Sequence, residues 1–218
     1  MQVIRLRLSG VKCGCRWARF SSCIASFLLA VPVLVLPSIT TGQASSQTKT
    51  AVVFYADPRV AETLWAPLFD AFRAEVAEER QEYPLPDDFD LIRASTLEAG
   101  QEFPNLIEVR LVGRCDVAEQ AYRPLSRGPL GWVVRASGEI QPFIYVDCTR
   151  IAQYLGPAEL GMNEVQRRAA MATAISRVAI HEWIHIETQS GNHENRGLRQ
   201  AELNSHDLIG TSRIPGGR

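Results

Sequence analysis

The apolar positions of the chain fall into two spacings, and the switch between them marks its elements. "TAVVFYA", Thr50 to Ala56, is a β-branched and aromatic run ended by Asp57-Pro58, which predicts a strand. From Pro58 the apolar positions become helical: Val60, Leu64, Leu68, Phe72 and Val76 lie on one face, with Asp57 as the cap. This helix is expected to run to Glu79, where "QEYPLPDDFD" breaks it. Strands are expected at Leu106 to Gly113, Gly128 to Gly138 and Gln141 to Cys148, the last two paired through an "ASGE" turn. A short helix should follow from Cys148 to Tyr154, ending at Gly156-Pro157.

The longest helical pattern comes next, "NEVQRRAAMATAISRVAIHEWIHIETQ". Asn163 with Gln166 reads as a capping box, and Val165, Ala169, Ala172, Ala179, Trp183 and Ile186 as its core stripe. It should end near Gln189 to Gly191, with irregular chain beyond. The order of elements predicts an α+β domain: a small twisted sheet backed by the Pro58 to Glu79 helix, with the long helix beneath it.

The first 44 residues call for a separate reading. Arg5, Arg7, Lys12, Arg16 and Arg19 precede the apolar run "IASFLLAVPVLVLP", and no acidic residue occurs before Asp57. That layout, followed by the small residues of "TTGQA", is expected of a signal peptide cleaved after Ala44, with an uncleaved anchor as the alternative. Residues 45–218 would then form one domain, secreted or periplasmic, with no stable insertion in a membrane. Removing five basic residues from 23 leaves 18 against 24 acidic ones, a charge of −6, which disfavours nucleic acid and anionic membranes as partners. It also leaves two cysteines, Cys115 and Cys148, expected to form a disulfide rather than a buried thiol pair.

The chemistry gathers at "HEWIHIETQSGNH". On a helix His181 and His185 lie one turn apart on one face and can point at one ion. Glu182 sits beside them, placed to take a proton from water; this is the H-E-x-x-H arrangement of zinc hydrolases. The bland alternative is a helix with surface histidines, but all four histidines of the chain, with His193 and His206, fall in this last stretch. A helix face supplies two ligands, so a third must come after the chain turns back, with Gly191 suited to the left-handed turn. His193 is the expected third ligand. Glu202, His206 and Asp207 are the alternatives, the latter two also suited to orienting a ligand imidazole. Asn192, Arg196 and Arg199 are candidates for stabilising an oxyanion.

The stretch "HEWIHIETQSGNHENRGLRQAELNSHDL" resembles the short, exported metzincin-type zinc proteases of bacteria, over roughly the second half of the chain. The resemblance implies zinc held by His181, His185 and His193, Glu182 as general base, and a protein or peptide substrate. The chain departs from that pattern where the spacing would put a glycine at Thr188 and a histidine at Gly191; His193 comes two residues later. Leu198 stands where a methionine underlies the zinc in the family, and no tyrosine follows Tyr154. The expectation is a secreted zinc-dependent peptidase. The alternatives are a glutamate-type zinc protease with Glu202 as third ligand, or a secreted, non-catalytic zinc-containing binding domain. A fourth protein ligand would favour the binder.

Overall fold

The computed structural model describes residues 49–210 except 59, 61, 116–127, 157, 160 and 196. The expected signal peptide, residues 1–44, and Arg196 lie outside the described residues. Five strands form one mixed sheet: β1 (Thr50–Ala56), β2 (Phe89–Arg93), β3 (Asn105–Val112), β4 (Gly131–Ala136) and β5 (Glu139–Asp147). Their order is β2-β1-β3-β5-β4; the first four in that row are parallel, and β4 runs antiparallel to β5 at the edge. Ser137 and Gly138 both take positive φ, 53° and 88°, so the "ASGE" segment is the tight two-residue hairpin turn expected of it.

Among the described residues four α-helices pack with the sheet: α1 (Glu62–Glu79), α2 (Cys148–Leu155), α3 (Glu164–Thr188) and α4 (Ser205–Ile209). Leu64, Leu68, Phe72 and Val76 of the expected α1 face are all buried. Phe72 is the junction of the core. It meets Phe54 of β1 edge-on at 5.5 Å and stacks on Trp183 of α3 at 5.9 Å. Between Ala170 and Ile186, α3 buries residues on every side, as a helix wedged between sheet, α1 and α2 must. No described helix is long and apolar enough to cross a membrane.

Cys115 and Cys148 form a disulfide. It ties the chain after β3 to the first residue of α2, directly beyond the neighbouring strand β5. Closing that loop of separation 33 stabilises the fold by roughly 3–4 kcal/mol.

Several boundaries differ from the sequence expectation. The first helix starts at Glu62, because Asp57 accepts from the Val60 N–H in a turn that precedes it. The segment expected only to break that helix leads into β2, a strand whose parallel pairing with β1 outweighs its weak pattern. Val165 is 71% exposed and does not belong to the core stripe, since the buried residues of α3 begin only at Ala170. The Asn163–Gln166 capping box is present as expected. The chain after α3, expected to be irregular, contains α4 with its own capping box from Asn204 and Asp207.

Candidate metal centre

Helix α3 carries His181, Glu182 and His185 on its last two turns, all buried. It ends at Gln189, which takes the left-handed conformation at φ 49°. Gly191 does not turn the chain; the reversal sits two residues earlier, on a side chain that can hold it. The Gln189 amide bonds the backbone of Ile140 in both directions, accepting at 2.9 Å and donating at 3.0 Å, and this offsets the strain of the left-handed residue.

After that turn the chain brings His193 back to the helix. Candidate ligand atoms of His181, His185 and His193 lie within 4.8 Å of one another. The His193 ring stacks on His181 at 5.3 Å and meets His185 edge-on at 5.0 Å. These three residues could hold a metal ion, and no fourth His, Cys, Asp or Glu joins the group among the described residues. Glu202 lines the same cleft outside the group, while His206 and Asp207 lie in α4, where Asp207 completes the capping box.

Hydrogen bonds fix the two helix imidazoles in one tautomer. His181 Nδ1 bonds the Leu198 carbonyl and His185 Nδ1 bonds the Ser190 carbonyl at 2.5 Å. A carbonyl only accepts, so each Nδ1 carries the proton and each Nε2 is left with a lone pair. Those two Nε2 atoms face each other at 3.1 Å. Two lone pairs at that distance in a buried site repel unless a cation lies between them. Two nitrogens on one tetrahedral ion at bond lengths of about 2.0–2.1 Å stand about 3.3–3.4 Å apart. The donor set therefore fits a metal, and the carbonyl partners supply the orientation that metal-binding histidines need.

Electrostatics agree with neutral imidazoles. Burial is the main force holding His181 down to about 4, and burial likewise lowers His185. Burial pushes the Glu182 carboxyl up to about 7. Its stem passes under β4, where a Cβ on Gly131 would meet Glu182 Cγ at 3.2 Å and Val178 Cγ1 at 2.5 Å. The glycine is what allows the edge strand to approach the helix so closely.

A cleft of about 720 Å³ opens over the three histidines. Gly131, Trp132, Val133 and Arg135 of β4 form one wall, and Gln200 to Leu203 lie among the other lining residues. Tyr154 of α2 also lines it, which the sequence reading missed; its place on the exposed-to-core boundary of a short helix gave no signal. Leu198 is buried at 3% as part of the hydrophobic core, while its carbonyl holds His181. Arg199 is committed to Glu194 and to the Asn192 carbonyl, and it is not among the cleft-lining residues.

No protein-family model, no curated protein and no solved structure matches the chain.

Proposed function

We propose that this chain is a zinc-dependent peptidase of metzincin-like design, exported from the cell, that hydrolyses peptide bonds in protein or peptide substrates. One observation carries the reading. Two tautomer-fixed imidazoles aim lone pairs at one point, a third imidazole closes over it, and a buried carboxyl stands beside them. A zinc ion bound there supplies a Lewis acid for the carbonyl and lowers the pKa of a water.

The protein's own groups do the rest. Glu182, a buried carboxyl beside the three imidazoles, takes a proton from the attacking water and delivers it to the leaving nitrogen. Its stem under Gly131 keeps the carboxylate from swinging away. A peptide substrate is supported by β4, the outer strand of the described sheet, which walls the cleft and to which an extended peptide could add by main-chain hydrogen bonds. Three protein ligands rather than four among the described residues favour turnover over the structural zinc of a binding domain.

The test is Glu182→Gln beside the parent, each assayed for zinc content and for cleavage of an unfolded protein. Hydrolysis should fall about 10²–10⁴-fold, the range for losing a general base, with zinc retained. Cleavage by Glu182→Gln at the parental rate, or no chelator-sensitive cleavage by the parent, sinks the reading.

A further inference from the structure

The loop that carries His193 is fastened by a side chain that is not a ligand. The Glu194 N–H donates to the Arg199 carbonyl at 2.8 Å, closing residues 194–199 into a turn. His193 stands just before that closure and Leu198 just inside it, so the turn brings the third imidazole next to the carbonyl that orients His181. The Arg199 guanidinium then reaches back across the turn. Its Nη1 donates to Glu194 Oε1 at 3.0 Å and its Nη2 to the Asn192 carbonyl, gripping the residues on both sides of His193.

The grip is anchored to the body of the domain. The Tyr83 hydroxyl, from the chain just after α1, donates to the other Glu194 oxygen at 3.2 Å. The Tyr83 ring lies against the guanidinium, 5.8 Å from its carbon to the ring centre. Arg199 is 9% exposed and Tyr83 7%, so the guanidinium and the phenol are withdrawn from water, while the Glu194 and Asn192 that they hold stand at the surface. A forked, charge-assisted donor held this way fixes direction as well as distance. His193 itself is exposed and has no helix beneath it. Without the grip, metal binding would have to order the loop and lose the entropy of doing so.

We propose that Arg199, braced by Glu194 and Tyr83, is a positioning residue that presets His193 as the third ligand, so that metal retention depends on residues that never touch the ion. This rests on the reading of the three histidines as a metal site.

The experiment uses the full domain and zinc itself, titrated against a competing chelator. The parent is compared with Arg199→Gln, Arg199→Lys, Tyr83→Phe and His193→Ala. Arg199→Gln should weaken zinc binding about 10–100-fold, the usual effect of losing a residue that orients a ligand. Arg199→Lys should stay close to it, since an ammonium keeps the charge but cannot span both partners. Tyr83→Phe should weaken binding about 2–10-fold, the worth of one hydrogen bond. Cobalt substitution adds a readout that general loosening of the fold does not move: the visible spectrum of cobalt-loaded Arg199→Gln should shift toward that of His193→Ala. If Arg199→Gln does not fold, Tyr83→Phe and its cobalt spectrum decide alone. Parental zinc affinity within twofold in the folded variants overturns this proposal while leaving the metal site standing. A parent that binds no zinc overturns both.

Discussion

The candidate site is built from two halves that hold their residues in different ways. Helix α3 places His181, Glu182 and His185 through repeating backbone bonds and through burial on all sides. The described part of the loop from Gln189 to Gln200 has almost no repeating bonds; Gln189 ties it to Ile140 and Glu194 to Tyr83, while Arg199 braces Glu194 and Asn192 within it. His181 and His185 are 8% and 4% exposed, while His193 is exposed. Regular structure transmits position along the backbone and tolerates many side-chain changes. An irregular segment transmits it through a few polar contacts, each of which can be removed singly.

Ligand removal gives the largest expected effect and tests that division directly. His181→Ala and His185→Ala should each lower zinc affinity by about a thousandfold or more, since each removes a preset donor from a rigid frame. His193→Ala should cost less, about a hundredfold, because His193 stands exposed and water can take its place at the ion. Chelator competition at fixed pH measures all three. A costlier His193→Ala than His181→Ala would break the comparison.

Two glycines sharpen it at the level of stability. A Cβ at Gly131 meets Val178 Cγ1 at 2.5 Å, the Tyr145 carbonyl at 3.1 Å and Glu182 Cγ at 3.2 Å, all parts of the rigid half. Gly131→Ala should therefore cost about 1–3 kcal/mol in urea unfolding. A Cβ at Gly191 meets only Arg135, with Nη2 at 2.6 Å, the far end of an exposed, flexible side chain. Gly191→Ala should change stability by less than about 0.5 kcal/mol. Equal costs would show the loop to be as unyielding as the helix.

The smallest effect concerns the chain that feeds α3. Burial raises the Glu159 carboxyl to about 7 from an ordinary 4.5, against the opposing pull of Arg167, and its Oε1 has no hydrogen-bond partner among the described residues. A folded-state pKa above the unfolded one adds stability that is full below about 4.5 and lost as pH rises through about 7. Glu159→Gln should melt with the parent at pH 4 and about 1–3 °C higher at pH 8. Its zinc affinity should match the parent's, as the group is no part of either half of the site. A parental melting curve that does not weaken between those pH values relative to the variant would remove the burial argument.

Much of the helical half was legible along the chain. Asn163 and Gln166 announced its start, and the four-residue spacing of His181 and His185 announced a shared face. Leu64, Leu68, Phe72 and Val76 were legible for the same reason. The strand β2 was not, because "FDLIR" follows two prolines and has no clean alternation; its pairing with β1 decides it. The turn at Gln189 was not either, since Gly191 has the freer backbone and the bonds from Gln189 to Ile140 span 49 positions. The capping residues of α4, Asn204 and Asp207, stand three apart in "NSHD", but a helix of five residues has too short a pattern to announce itself.

By itself the sequence determined the amphipathic helices, the hairpin turn, the cysteine pair and the two histidines with a glutamate between them, because each is written within a few neighbouring residues. Only the tertiary structure decided which later residue joins those histidines, which carbonyls fix their tautomers, and that Arg199 and Tyr83 hold the joining loop. Those contacts link positions up to 111 residues apart. Local propensity does not act over such separations; they are set when the sheet and α3 have already packed and the remaining polar groups must find partners.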